Sequence, residues 1–399
     1  MKASLFYLPT CGNRAEIESG RAGLRPELYQ RMLGEISGQA RLADDLGYDS
    51  VAFTEHHFHV EGFELSNNPV LLDLFVGMQT RRLRVGQLGI VLPAQNPLRV
   101  AEDVAMLDHM TGGRAYAGFA RGYQRRWVDT MAQHAHGVRG VAPHQHDEID
   151  QANRDAFEEC FRIVKRAWTE DFVRDQGELW KVPVSGTPWD IEATTRYGGG
   201  VENGRLDAIA PVPKPLQRPH PPLFQPFASS ERSVRWCARE GVTAVLPPLH
   251  PLLERRLVDV YAEESGRPPG EGMALLRDVV IADSDAEAMR LWTDGPLFGF
   301  DSWFKPFGFH RGLFHPDTGE MPDPFASSLA LVGSPATVTA QLERLFERLP
   351  VRWIFLWAWN GLVPDEALSR SIGLFATDVA AKVDPLEAPP LPSRPAWAL

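Results

Sequence analysis

Cysteine is scarce: Cys11, Cys160 and Cys237 are the only three in 399 residues. They are odd in number, far apart and never spaced as C-x-x-C, which argues against a disulfide framework and against a thiolate zinc site. Such usage fits a reducing cytosol. Positive charge is also short. Lys and Arg total 41 against 52 Asp and Glu, a formal net charge of −11, and no basic run stands against it. An acidic chain of this kind has no electrostatic footprint for nucleic acid or an anionic membrane. Long apolar runs are missing too. None approaches the roughly 20 residues that cross a bilayer, and the N-terminal MKASLFYLPT is too short a stretch for a signal peptide. The expectation is a cytoplasmic protein without nucleic-acid or membrane partners. Two phosphate signatures are absent as well. No G-x-G-x-x-G follows the first strand and there is no G-x-x-x-x-G-K-[ST], so neither a Rossmann dinucleotide site nor a P-loop is favoured.

What is present is alternation. Hydrophobic residues make up 44% of the chain, ample for a large core. Short apolar runs at 3–9, 50–55, 83–93, 114–122, 223–227, 242–247, 274–282 and 353–359 read as strands. Helical spacing appears at 27–46, 67–80, 97–110, 151–170, 230–240, 251–265, 285–293, 335–349 and 364–382. The helix at 27–46 is expected to stop at Gly47, and the one at 67–80 to begin with Asn68 as cap and Pro69 in first position. About eight strands that are apolar on both faces imply a parallel sheet covered by helices. No linker interrupts the pattern. The prediction is an α/β fold, a single (β/α)8 TIM barrel over 1–383 with a Pro-rich tail at 384–399. Long insertions at the C-terminal rim fall at 123–150, 173–222 and 294–328. Loops of this length are usually lids or binding loops.

Chemistry in such barrels sits at the C-terminal ends of strands. "FTEHHF", residues 53–58, is one such end, where an apolar run stops at Glu55, His56 and His57. Successive side chains on a strand point opposite ways, so the two histidines are not expected to face one cavity. Two readings stand side by side. The polar residues merely end a strand, or an imidazole takes and gives a proton near neutral pH. A metal site needs more ligands than this stretch supplies, and no metal is expected. The insertion at 123–150 adds His134, His136, His144 and His146. These are open to three readings: a transition-metal pair, a solvated lid, or an acid–base or substrate contact. The stretch 297–309, with Phe298, Phe300, Trp303, Phe304, Phe307 and Phe309, reads either as the wall of a hydrophobic pocket or as ordinary packing over the rim.

"LADDLGYDSVAFTEHHF", followed by "LRVGQLGIVLPAQNPLRVAEDVAMLDHMTGGRAYAGFARGY", resembles the bacterial luciferase family of flavin-dependent monooxygenases. The similarity is continuous from about 40 to 123, returns at 150–172 and 228–241, and is weaker at 331–345. The resemblance implies roles. His56 matches the family's active-site histidine, an acid–base or hydroperoxide-stabilising group. Arg121 and Arg154 match arginines on the flavin phosphate. Ser229, Ser230 and Ser233 fall in the phosphate-binding segment at a helix start, where Ser229 or Ser230 would equally serve as an N-cap. Leu88 and Gly89 match a pair that often forms a non-prolyl cis peptide beneath the isoalloxazine. There are departures. Ala120 stands where bacterial luciferase has a reactive cysteine, Ser229 replaces an acidic residue, and the region after Arg121 is longer than in the family. These bear on the substrate and on light emission, not on flavin binding.

The activity so implied is that of a two-component flavin-dependent monooxygenase. A separate NAD(P)H-dependent flavin reductase would deliver reduced FMN, with FAD as the alternative, and O2 would add to give a flavin (hydro)peroxide. The substrate would be a hydrophobic or aromatic small molecule, such as a natural product. Hydroxylation, Baeyer–Villiger insertion and aldehyde oxidation are all open. A homodimer is the family's habit. The rivals on the same scaffold are a deazaflavin-dependent hydride-transfer oxidoreductase and a non-catalytic flavin-binding protein.

Overall fold

The computed structural model describes residues 1–135, 137–143 and 145–392. Eight parallel strands close into a barrel: β1 (Lys2–Tyr7), β2 (Ser50–Phe53), β3 (Arg84–Gln87), β4 (Ala115–Ala120), β5 (Leu223–Gln225), β6 (Thr243–Leu246), β7 (Met273–Ile281) and β8 (Trp353–Trp357). Neighbours follow chain order. β8 returns to β1 through Phe6 opposite Trp357, and β4 meets β5 through Gly118 opposite Phe224. Helices alternate with the strands along the chain: α1 (Pro26–Leu46), α2 (Pro69–Gly77), α3 (Pro97–Met110), α4 (Glu148–Thr169), α5 (Glu231–Glu240), α6 (Pro251–Ser265), α7 (Asp285–Trp292), α8 (Pro335–Arg348) and α9 (Asp365–Leu374). The predicted (β/α)8 barrel is the observed fold.

Local chemistry explains the boundaries. Pro26 occupies the first turn of α1 and Gly47 ends it at φ 84°, the left-handed stop that a residue without Cβ adopts freely. Asn68 caps α2 by accepting from the Leu71 N–H, with Pro69 in the first turn. The barrel interior is aromatic. Trp353, Phe355 and Trp357 alternate along β8. The ring of Phe224 lies 5.3 Å from Trp353 and 6.2 Å from Phe355. One layer higher, Phe6 and Phe227 lie 5.5 and 6.3 Å from Trp357. Such layers make the barrel a packed core rather than a pore. At Gly118 an added Cβ would come 1.9 Å from the Gln87 carbonyl oxygen, so only glycine lets β3 and β4 approach there.

Two compact units emerge. Residues 1–90, 116–119 and 222–392 form one, which holds the barrel strands. Residues 91–115 and 120–221 form the other. In the latter, α3 and α4 are tied by the Trp168 indole N–H donating to the Ala101 carbonyl at 2.8 Å.

Three details depart from the sequence reading. The strand expected at 83–93 is broken at a cis Leu88–Gly89 peptide, with Ile90–Val91 resuming as a separate short strand. A short strand at Ala330–Gly333 lies against β7, where the sequence reading placed none. The insertion at 294–328 is largely helical in its first half. α7 continues into π-type turns at Thr293–Leu297 and Phe300–Phe304, then 3-10 turns to Leu313. Pro296, which reads as a breaker, sits inside the first wide turn. Such turns tolerate a missing backbone N–H. The glycines of this stretch serve packing. A Cβ at Gly295 would meet the Leu362 carbonyl at 2.8 Å, and one at Gly299 the Trp359 ring at 2.7 Å.

Candidate active site

The strand ends of the barrel unit carry the candidate chemistry. After β2 the side chains part by parity, as alternation requires. Thr54 Oγ1 lies 3.0 Å from His56 Nδ1, and Glu55 Oε1 lies 3.0 Å from His57 Nε2. The two histidines therefore do different things. His56 is 8% exposed. Its backbone N–H donates to the Ser66 carbonyl at 2.9 Å. Its Nε2 lies 3.4 Å from Glu64 Oε1.

Burial pushes the His56 pKa well below the ordinary histidine value, and His59 and His57 beside it push the same way. A ring so shifted is neutral at pH 7. The unfolded chain takes up this proton near pH ~6.5, the folded chain only well below. Within that window the unfolded state holds more protons, so the contribution of His56 to stability falls as pH falls. The stability advantage of wild type over His56→Gln should shrink between about pH 7 and about pH 5. Urea unfolding at several pH values measures it. A difference independent of pH would contradict a neutral buried ring.

Above His56 stands the aromatic segment. The Trp303 indole N–H donates to Glu64 Oε2 at 2.7 Å. Its ring stacks on Phe63 at 5.4 Å and lies 5.1 Å from His59. Phe304 is buried against Trp357 and Trp359, at 5.2 and 5.8 Å. Phe309 reaches Phe227 at 5.5 Å. This stretch packs on the strand ends that carry the catalytic candidate, which is the packing reading of it. Behind it, Trp359 and Trp292 donate to the two oxygens of the buried Asp278, at 2.8 and 3.2 Å. Burial raises the pKa of that carboxyl, and the two indoles oppose the rise.

The residues matched to flavin contacts divide between the two units. In the barrel unit, the Leu88 N–H donates to the Phe53 carbonyl at 2.7 Å. A Cβ at Gly89 would meet the Gly118 backbone at 2.7 Å. Ser230 is the N-cap of α5, its hydroxyl oxygen accepting from the Ser233 N–H at 3.3 Å. Ser229 precedes it and is half-buried. In the second unit, Arg121 follows β4 and donates to Asp150 Oδ1 at 2.5 Å. Arg154 lies one turn further along α4 and is buried. Asn153 Nδ2 donates to the Arg121 carbonyl at 3.0 Å and fixes that corner.

Other candidates fall away or stay open. All three thiols are free and buried, and burial pushes Cys11 and Cys160 up to about 12, far from a reactive thiolate. His134 packs on Trp180 at 5.4 Å, and His146 Nδ1 lies 3.9 Å from Asp150 Oδ2. His136 and His144 lie outside the described residues, as does the end of the tail at 393–399. Among the described residues no group of three His, Cys, Asp or Glu could hold a metal, and no helix is long and apolar enough to cross a membrane.

Sequence reasoning missed Glu64 and His59. They sit in "HVEGFEL", where no periodicity marks them. Glu64's indole donor lies 239 residues away in the chain. The nearest signal was the density of polar residues after FTEHHF.

The profile described as luciferase-like monooxygenase matches residues 18–352. The 3,6-diketocamphane 1,6-monooxygenase of Pseudomonas putida is 26% identical over 326 residues, 76% of this chain and 80% of that protein. The oxygenase component of the flavin-dependent trigonelline monooxygenase of Acinetobacter baylyi is 24% identical over 337 residues, 81% of each chain. Among solved structures, the oxygenating constituent of 3,6-diketocamphane monooxygenase from Pseudomonas putida, a type II Baeyer–Villiger monooxygenase in complex with FMN, shares the fold. Its TM-score is 0.73, at 21% identity, over 97% of this chain and 99% of that one. With a profile match across most of its length, on a closed parallel barrel, the chain belongs to the luciferase-like monooxygenase family.

Proposed function

We propose that this chain is the oxygenase of a two-component system, using reduced FMN and O2 to oxygenate a hydrophobic or aromatic small molecule. The observation that carries the reading is His56: a buried imidazole at a strand end of the barrel, with Thr54 Oγ1 3.0 Å from one nitrogen and Glu64, itself bonded to Trp303 of the aromatic segment, 3.4 Å from the other. The residues present fit a flavin. Leu88 and Gly89, joined by a cis peptide against the Gly118 backbone, are the backbone pair that would hold its ring. Arg121 and Arg154 offer guanidinium groups of the kind that bind a phosphate dianion, and Ser230 and Ser233 stand at the start of a ten-residue helix. Leu88 and Ser229 complete the set that the family resemblance assigns to the cofactor. Bound reduced flavin supplies the electrons that activate O2.

The protein's own part is to orient, exclude water and hold a proton. His56 holds or moves the proton at the reacting centre. Phe227 and Phe309, half-buried above the packed Phe6–Trp357 layer, offer apolar faces suited to an organic substrate. A separate NAD(P)H-dependent flavin reductase supplies the reduced cofactor, as the oxygenase-component name of a relative suggests. A homodimer and a cytoplasmic site belong to the same reading.

Two tests separate cofactor from chemistry. FMN and riboflavin are titrated by flavin fluorescence against wild type, Arg121→Ala and Arg154→Ala. A charged hydrogen bond is worth about 1.5–3 kcal/mol, so each variant should bind FMN roughly 10- to 100-fold more weakly and riboflavin unchanged. Equal losses for both ligands would remove the phosphate role. Oxygen consumption is then measured with FMN reduced by an unrelated reductase and a panel of apolar ketones, aldehydes and arenes. Substrate-dependent uptake without matching hydrogen peroxide release supports a monooxygenase. Turnover that persists without oxygen, with a deazaflavin, would favour hydride transfer instead.

A further inference from the structure

The segment between Thr54 and Ser66 folds back on itself. The Ser66 hydroxyl donates to the Thr54 carbonyl at 2.5 Å, and the His56 N–H donates to the Ser66 carbonyl at 2.9 Å. This turn places Glu64 at φ 53°, a conformation uncommon for a residue with a side chain. Its carboxylate is 1% exposed. Oε2 accepts from the Trp303 indole at 2.7 Å and lies 3.6 Å from His59 Nδ1. Oε1 lies 3.4 Å from His56 Nε2. Across the ring, His56 Nδ1 lies 3.0 Å from Thr54 Oγ1. A hydroxyl, an imidazole and a carboxylate therefore stand in line. The groups facing this line are His59 and His57 beside the ring, with Glu55 engaged by His57 at 3.0 Å.

A neutral imidazole has one N–H and one bare nitrogen, while an ionised carboxylate only accepts. The proton then belongs on Nε2, toward Glu64, and the bare Nδ1 accepts from the Thr54 hydroxyl. We infer that Glu64 is a positioning residue that fixes His56 in the Nε2–H form, leaving Nδ1 with the Thr54 hydroxyl as its proton-exchanging side, and that Trp303 ties the aromatic segment to that choice. The inference rests on the acid–base reading of His56. Glu64 does not stand out in the sequence, and the family resemblance as read from the sequence assigns no role to it or to Trp303. A carboxylate on one nitrogen of a histidine sets the tautomer and raises the basicity of the other.

Nitrogen-15 histidine labelling of the cofactor-free full chain tests it. Long-range proton–nitrogen correlation spectra separate Nε2–H from Nδ1–H rings, and His56 is assigned by the signal lost in His56→Asn. The wild type should show His56 neutral at pH 7 with its proton on Nε2. Glu64→Gln, with one acceptor oxygen for the two donors Trp303 and His56, should give a mixture between wild type and Glu64→Leu. Glu64→Leu should shift the ring toward Nδ1–H, donated to Thr54. A wild-type ring protonated on Nδ1 overturns the inference without any variant, and so does a Glu64→Leu ring that stays Nε2–H. A second readout follows the return of oxidised-flavin absorbance after reduced FMN and protein meet oxygen. Glu64→Leu should hasten it as His56→Ala does, and Glu64→Gln should fall between Glu64→Leu and wild type. If the tautomer results are as expected but His56→Ala leaves the oxygen reaction unchanged, Glu64 still positions the ring and the acid–base reading beneath it fails.

Discussion

Replacing His56 by Ala should lower substrate oxygenation by about 10²–10⁴-fold, the usual range for losing a positioned acid–base group, with FMN affinity altered by no more than about 2-fold. The ring is the ionisable group that the fold holds at the end of β2 by contacts on both nitrogens, to Thr54 and to Glu64. Alanine removes both contacts and leaves a small polar void. Oxygen uptake should continue but yield hydrogen peroxide. A structural role for His56 predicts something else. Activity would then fall only with the folded fraction, and flavin binding would fall with it. Coupling, measured as product formed per oxygen consumed, distinguishes the two at a temperature where both proteins are folded. An unchanged coupling ratio in His56→Ala would remove the acid–base role.

The largest stability effect is expected at Glu254. This carboxylate, on α6, accepts from Arg277 Nη2 at 2.6 Å and Arg348 Nη2 at 2.8 Å. Glu254 and Arg277 are both 0% exposed. Burial pushes the Arg277 guanidinium below the usual arginine range, and Glu254 is the main group that opposes this. Arg277 also donates to the Ser328 and Leu276 carbonyls, at 2.9 and 2.8 Å, so the charge cannot leave without losing three sets of partners. Glu254→Ala strands a positive charge in the interior, which costs about 3–5 kcal/mol. Total stabilities are about 5–15 kcal/mol, so this one change threatens the fold. The paired Glu254→Met with Arg277→Met should cost far less, since an apolar pair avoids desolvation altogether. Urea unfolding of both checks this. A loss below about 1 kcal/mol for Glu254→Ala would place the pair in the weak class of exposed ion pairs.

Much of the fold was legible because a parallel barrel repeats one signal. Strands buried on both faces give continuous apolar runs, and each helix gives a 3.6-residue period. α3 and α6 were read at the boundaries observed, Pro97–Met110 and Pro251–Ser265, because proline opens each one. Parity along the strand is enough to separate His56 from His57. The helical first half of the 294–328 insertion was not legible because Gly295, Pro296 and Gly299 interrupt any helical pattern there. Their real constraint is contact with Leu362 and Trp359, which lie far along the chain. Glu64 was invisible for the same kind of reason. Its neighbours are set by a turn at positive φ and by Trp303, and neither leaves a periodic trace. Arg121 was legible at a strand end, but not its pairing with Asp150, since that pair depends on where α4 begins.

The most direct test of the account is a rapid-mixing experiment. The protein is loaded with reduced FMN without oxygen, then mixed with oxygenated buffer while flavin absorbance is followed. Oxidised flavin should return much more slowly than from free reduced FMN, and His56→Ala should shorten that delay. Oxidised flavin returning as fast as in the absence of protein, with no difference between wild type and His56→Ala, would contradict an oxygen-activating flavin site governed by His56.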